Sequence, residues 1–454
     1  MQSQVTTASE PAWLSRALRP ITEVRPGEAI TALLLTLNVF LLLTAYYVLK
    51  PVREALILKL PSGPEYKAYT SGVIAILLFA LVPLYGMLVD RLPRIKLVVG
   101  VSLAFALQVL LFYAAMAVPS LKPKLGFVYF AWVGVFNVML VAQFWAFAND
   151  LYDKEQGDRL FPMIAIGASV GGAAGSELAK WLVNQLGIPP MLLVAAGLLA
   201  VCALLFWLVE RRESHRDKSA DMPATAPAAA GETKKQGGFG LVMRYRYLLL
   251  LAAFSLLYNW VNSNSEYMLS KIIKDDVVAS HPNLNDDQIG EQIGAAYADF
   301  FRYVNWLGLV LQMFVVSRVV KWLGLSKAFL FLPVIALMNA SFVAFLPIIA
   351  LIKGAKTAEN ATDYSLNNTL RQMLWLVTSP QMKYKAKQVV DTFCVRIGDV
   401  CSALTVYFAV SLGNLSVHRF AWISLALGGV WLLLALTIGR MYRKLEASGE
   451  KLGA

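Results

Sequence analysis

ERRESHRDKSADMPATAPAAAGETKKQGGFG, residues 210–240, is the stretch on which the fold turns. Charge, Ala, Pro and Gly fill it, and nothing in it can bury a core, so the polar segment 210–245 reads as a linker. Working outward, six apolar runs precede it and six follow. They cover 29–49, 67–89, 97–118, 126–149, 161–186 and 190–209, then 246–271, 296–320, 326–352, 364–379, 387–412 and 418–440. A bilayer core requires about 20 apolar residues per spanning helix, which is the length of most of these runs. Similar halves about a polar linker are the pattern of a transporter built from two pseudo-equivalent bundles.

The predicted fold is therefore an all-α polytopic membrane protein, with twelve transmembrane helices in two six-helix bundles. Residues 1–28 form a cytoplasmic N-terminal segment, 29–209 the first bundle, 210–245 the linker, 246–440 the second bundle and 441–454 a cytoplasmic tail. The tenth span is the weakest. It holds Asn367, Asn368, Arg371 and Gln372, so it faces protein or water, or is re-entrant. The acidic insertion 272–295 reads as a segment outside the membrane, a short amphipathic helix over the entrance.

Composition agrees. Charged residues make up 15% of the 454 and apolar residues 58%. A soluble domain carries about a quarter charged residues, so water cannot be the solvent for most of this surface. The net charge of +12 would suggest nucleic acid in a soluble protein. Here Lys and Arg lie in short stretches between apolar runs, so the charge reads as topology and attraction to anionic lipid, with no nucleic-acid partner. The basic connections are the even-numbered ones. Arg91, Arg94 and Lys96 follow span two, Lys154 and Arg159 span four, and Lys383, Lys385 and Lys387 span ten. Both termini are expected in the cytoplasm. Residues 1–28 are polar and carry Arg16, Arg19 and Arg25, which is no signal peptide.

Cys202, Cys394 and Cys401 lie in apolar runs, and His215, His281 and His418 are scattered in loops. No disulfide framework, metal-ligand cluster, P-loop or nucleophile motif is present, so neither enzyme chemistry nor a cofactor is expected.

The connection after span two, GMLVDRLPRIK, resembles the signature of the major facilitator superfamily at the same place, carried by Gly86, Asp90, Arg91, Arg94 and Lys96. Gly86 permits close helix contact, and Asp90 with the arginines would form a conformational latch. A positive-inside loop is the plainer alternative. Four further stretches resemble the ATP/ADP translocases of plastids and intracellular bacteria. They are YYVLKPVREALIL at 46–58, QFWAFANDLYDKEQGDRLFPMIAIGASVGG at 143–172, NSNSEYMLSKIIK at 262–274 and KYKAKQVVDTFCVRIGD at 383–399. The resemblance implies a divergent bacterial relative in the inner membrane that exchanges nucleotides. It places Arg53 on a basic residue implicated in nucleotide transport, Lys50 on a neighbouring basic position, Glu266 on a seventh-span carboxylate and Lys180 on a fifth-span Lys. There are departures: Val133 stands where the plastid carriers have Glu, Asp399 where they have Lys, and Glu177 where they have Arg. A different cargo is the alternative those changes favour.

Ionisable residues inside spans are candidates for the site, because unpaired charge in lipid is costly. They include Lys50, Arg53 and Glu54 in span one, Glu177 and Lys180 in span five, and Glu266 in span seven. Asp299 and Arg302 lie in span eight, Arg371 in span ten, and Asp391, Arg396 and Asp399 in span eleven. Basic members from both halves suit a small anionic solute, ATP or ADP among the candidates. Trp145 and its aromatic neighbours would stack on a base, and Asn149, Asn262 and Asn264 would read its edges. The run Asn262–Ser263–Asn264–Ser265 suggests an unwound, water-lined turn. Plainer readings stand beside these. Lys50 and Arg53 would snorkel. Arg396 and Asp399 would be a structural ion pair at i, i+3. The expected activity is secondary transport by a monomer. The alternatives are a different solute with proton coupling through Glu266 or Asp399, and a non-transporting receptor.

Overall fold

The computed structural model describes residues 24–25, 27–217, 237–449 and 451–453. Most of the N-terminal segment and linker residues 218–236 lie outside them. Before the linker run α1 (Ala29–Leu58), α2 (Gly63–Arg91), α3 (Arg94–Met116), α4 (Lys122–Leu151), α5 (Lys154–Leu186) and α6 (Ile188–Asp217). After it come α7 (Gly238–Arg244), α8 (Arg246–Ser280), α9 (Asp286–Val310), α10 (Val316–Ala328) and α11 (Phe331–Phe345). The last are α12 (Ile349–Thr362), α13 (Asn368–Met373), α14 (Pro380–Gln388), α15 (Val395–Val406) and α16 (Val417–Ser448). Four π-helical turns lie among them: Leu311–Val315, Asp363–Asn367, Val389–Cys394 and Tyr407–Leu412. Among the described residues the only β-pairing is an isolated bridge between Thr378 and Leu452.

Each of the twelve predicted spans contains helix, although in the tenth residues 374–379 are not helical. Seven of the described helices are long and apolar enough to cross a membrane, and the bent pair α7–α8 makes eight. Of the others, α5 is more polar and α11 is short. Local chemistry sets several ends. Asp153 caps α5 in a reciprocal box with Gln156, and Asn285 does the same for α9 with Gln288. Gly187, at φ 75°, ends α5.

Four expectations are corrected. The ninth span was expected to run to 352, but α11 ends at Phe345. Pro347 disfavours helix at Leu346, whose φ is −133° and ψ 72°. Helix resumes at Ile349, so the tenth span begins fifteen residues before the expected 364 and takes in a charged segment read as a connection. The insertion 272–295 forms no separate helix; α8 extends to Ser280 and α9 starts at Asp286. The run Asn262–Ser265 is not unwound but lies inside α8. Each of its four side chains meets a polar partner on a neighbouring helix, which lets the backbone stay helical.

The chain packs as two compact units. One comprises residues 1–52, 82–122 and 132–228. The other comprises 53–81, 123–131 and 229–454, so the end of α1 and most of α2 pack with helices that follow the linker. In the first unit, glycines on one face of α5 meet α1. A Cβ on Gly167 would lie 2.6 Å from the Thr36 carbonyl oxygen, and one on Gly175 would lie 2.7 Å from the Thr44 Cα. In the second, Phe254 stacks on Phe329 at 4.4 Å and meets Trp431 at 5.6 Å in the centre of the core.

Candidate functional site

The polar residues of α8 recur as Asn259, Ser263, Glu266, Ser270 and Lys274, three or four apart, which places them along one helix face. Ile349–Thr362 and the π turn after it carry a second such stripe: Lys356, Glu359, Asn360, Asp363 and Asn367. Both helices belong to the second unit, and so do Arg53, Glu54 and Lys67 at the adjoining ends of α1 and α2. Six of these side chains form one network in which cations and carboxylates alternate.

Glu54, fully buried, accepts from Arg53 Nε at 3.0 Å and forms an ion pair with Lys67, whose Nζ lies 2.9 Å from its Oε2. The Arg53 guanidinium lies over the Phe130 ring, 4.6 Å from its centre. Lys67 Nζ also donates to Ser270 Oγ at 2.9 Å and lies 3.5 Å from Glu266 Oε2. The Tyr297 ring centre is 5.0 Å from Lys67 Nζ. Glu266 Oε1 lies 3.5 Å from Lys356 Nζ and accepts from Asn360 Nδ2 at 3.1 Å. Lys356, also fully buried, donates to Asn262 Oδ1 at 2.9 Å and to Glu359 Oε1 at 2.8 Å. Glu359 in turn accepts from Ser265 Oγ at 3.1 Å and Asn339 Nδ2 at 3.0 Å.

Arg53, Lys67 and Lys356 are thus balanced by Glu54, Glu266 and Glu359. A buried charge stripped of its partner costs about 3–5 kcal/mol, which is why the pairing is this complete. Such a set suits an anionic ligand, because a ligand oxyanion can replace a carboxylate without leaving a bare ammonium. Glu266 is the most accessible of the three carboxylates, with a side chain 25% exposed against 0% for Glu54 and 3% for Glu359.

Two further polar clusters flank this network in the second unit. Asp399 accepts from Asn259 at 2.7 Å, Ser263 at 2.9 Å and Arg396 at 3.1 Å, so Arg396 and Asp399 form the i, i+3 ion pair. Asp363 accepts from Tyr258 at 2.6 Å and Asn367 at 2.8 Å, while Arg371 pairs with Asp391 at 2.9 Å.

Other residues singled out from the sequence lie elsewhere. Asn264 accepts from Ser402 at 2.7 Å in the helix packing, and Arg302 pairs with Asp299 at 3.0 Å on α9. Lys50, Trp145, Asn149 and Lys180 belong to the first unit. Lys50 Nζ lies 5.2 Å from the Tyr47 ring centre; Trp145 packs edge-on against Phe144 and Phe161. Asn149 is exposed and Lys180 half-buried. Of the expected latch, Arg94 pairs with Glu210 at 2.6 Å and donates to the Asp150 carbonyl at 3.3 Å, while Arg91 is exposed. The surroundings of Gly86 and the side chain of Asp90 lie outside what the structure describes.

Lys67, Lys356 and Glu359 escaped the sequence reading. Lys67 stood at the first position of a span, where a Lys reads as a boundary charge. Lys356 and Glu359 were assigned to a connection. The signal that would have found them is the 3.6-residue polar stripe across 353–371, which a loop has no reason to keep.

Residues 128–442 match the family described as TLC ATP/ADP transporter. ADP,ATP carrier protein 1 of Chlamydia pneumoniae is 22% identical over 358 residues, covering 69% of this chain and 67% of that one. ADP,ATP carrier protein 5 of Rickettsia bellii is 22% identical over 315 residues, covering 60% and 59%. The chain therefore spans about two thirds or less of the length of these curated relatives. In fold it is similar to the nucleoside transporter NupG, with TM-score 0.59 and 14% identity over 91% of this chain and 99% of that one. At that identity the likeness is one of fold alone.

Proposed function

Because the chain belongs to the TLC ATP/ADP transporter family, we propose that it is a secondary transporter of nucleotides such as ATP and ADP, or of related phosphorylated anions. It works by alternating access and by exchange. The observation that carries this reading is the network in which Arg53, Lys67 and Lys356 alternate with Glu54, Glu266 and Glu359. A soluble-domain core has no use for so many desolvated ammonium and guanidinium groups, and a carrier of polyanions has. The relatives that share the family are named for ADP and ATP, which supplies the class of anion. Among the residues that the sequence singled out, Arg53, Asn262 and Glu266 carry the reading. The nucleotide is cargo, not fuel; no bond in it is broken. The protein resides in the inner membrane of a bacterium with both termini in the cytoplasm and acts as a monomer.

Proteoliposomes loaded with ADP are expected to take up labelled ATP, and Arg53→Ala to abolish the uptake. Wild-type liposomes that take up no nucleotide against any internal nucleotide would overturn the proposal.

A second reading has one observation in its favour. Asp399 is a carboxylate held by Asn259, Ser263 and Arg396, at a position where the resemblance has a Lys. A proton-coupled carrier of a different anion would use it. Uptake driven by an imposed pH gradient, and lost in Asp399→Asn, would favour that reading over exchange.

A further inference from the structure

The two lysines are not held alike by their partners. Each has one short carboxylate contact with a buried glutamate: Lys67 with Glu54 at 2.9 Å, Lys356 with Glu359 at 2.8 Å. Each also has one long contact, 3.5 Å, and both long contacts end on the same carboxylate. Glu266 offers Oε2 to Lys67 and Oε1 to Lys356, and it is the carboxylate that solvent reaches most. A group with two or three oxygens spread over one central atom would make the same bridge. Phosphate is such a group.

We propose that Glu266 is an internal stand-in for a phosphate group, and that Lys67 and Lys356 are the cations between which that phosphate binds. The inference rests on the polyanion reading above and deepens it. Entry of the cargo swings Glu266 aside and breaks the two long contacts together with the hydrogen bond from Asn360. The short pairs with Glu54 and Glu359 stay, so each lysine keeps half its neutralisation. The phosphate is held firmly enough to enter and weakly enough to leave, which a carrier requires and a storage site does not.

The test is the sign of three substitutions, read as equilibrium binding of ADP to purified protein, with adenosine as the probe that lacks phosphate. Lys67→Gln and Lys356→Gln are expected to weaken ADP by about tenfold or more, the value of a lost hydrogen bond between charged groups. Adenosine binding should not change. Glu266→Gln removes the competitor and is expected to tighten ADP. Lys67→Arg and Lys356→Arg keep the charge and should retain binding, which separates loss of a ligand from loss of fold. Weaker ADP binding in Glu266→Gln, or ADP binding unaffected by both Lys→Gln changes, overturns the inference. The same series with inorganic pyrophosphate distinguishes it from the nucleotide reading. If pyrophosphate follows the sign pattern and ADP does not bind the wild type, the stand-in role holds and the nucleotide cargo falls. If neither anion binds, both fall.

Discussion

Glu28 sits just before α1, and its carboxylate is gripped from several sides. Arg159 donates to both oxygens at 3.0 Å, the Arg25 backbone N–H donates at 3.0 Å and Gln156 at 3.2 Å. Burial works to raise its pKa, but these donors outweigh it and hold the group below its ordinary value of 4.5. A carboxylate held low adds stability at pH values above 4.5 and loses it as the pH falls through the lowered pKa. Glu28→Gln is therefore expected to lower stability at pH 7 by about 2 kcal/mol, the worth of hydrogen bonds to a charged group. The gap between variant and wild type should close as the pH drops below the carboxylate range. Thermal melts of the detergent-purified pair at several pH values check this; a gap that widens in acid would contradict it. Candidate site residues were legible from sequence where a charge stood alone in an apolar run, as Glu266 does, or fell in a stretch that resembles a family motif, as Arg53 does. They were not legible where charge was dense. The segment KGAKTAENATD, 353–363, looks like a loop by composition, and only its burial against α8 makes Lys356 and Glu359 part of a site.

At the scale of the element, packing in the first unit depends on residues with no side chain. Gly167, Gly171 and Gly175 recur every four residues on α5 and face Thr36, Phe40 and Thr44 of α1. Small residues at this spacing let helix backbones approach in lipid, where apolar burial gives no drive to associate. The glycine spacing within IGASVGGAAG was present in the sequence; its partner helix was not, because nothing in α1 marks the facing side. A Val at Gly171 would meet the α1 backbone at Phe40, and backbone cannot yield as a side-chain tip does. Gly171→Val is expected to reduce the yield of folded protein and lower the melting temperature by several degrees. Gly197→Val makes the matched control, since a Cβ there meets nothing within 4 Å. Equal melting of the two variants would show that the close approach contributes nothing.

At the scale of the molecule, helix number and order were written in the apolar runs, because lipid forces every spanning backbone to satisfy itself as helix. The boundaries that failed, around Pro347, are where one apolar run hid a turn. Grouping into compact units was not legible, since residues 53–81 pack with helices that follow them by more than a hundred and fifty positions. Orientation is the remaining property that sequence predicts at this scale. The basic residues lie in the even-numbered connections, so the linker should face the cytoplasm and the turn between α8 and α9 the opposite side. Asn283 is exposed in that turn, and Ala226 lies in the linker. Single cysteines at these positions, with Cys202, Cys394 and Cys401 replaced by Ser or Ala, make the test. In intact spheroplasts a membrane-impermeant maleimide is expected to label Asn283→Cys and to spare Ala226→Cys until the membrane is opened. The reverse pattern would invert the protein in the membrane, place the linker outside and leave the positive-inside rule without a cause here. Labelling of both positions in intact cells would put them on one side of the membrane, so that an even number of segments crosses between them and α8 does not span.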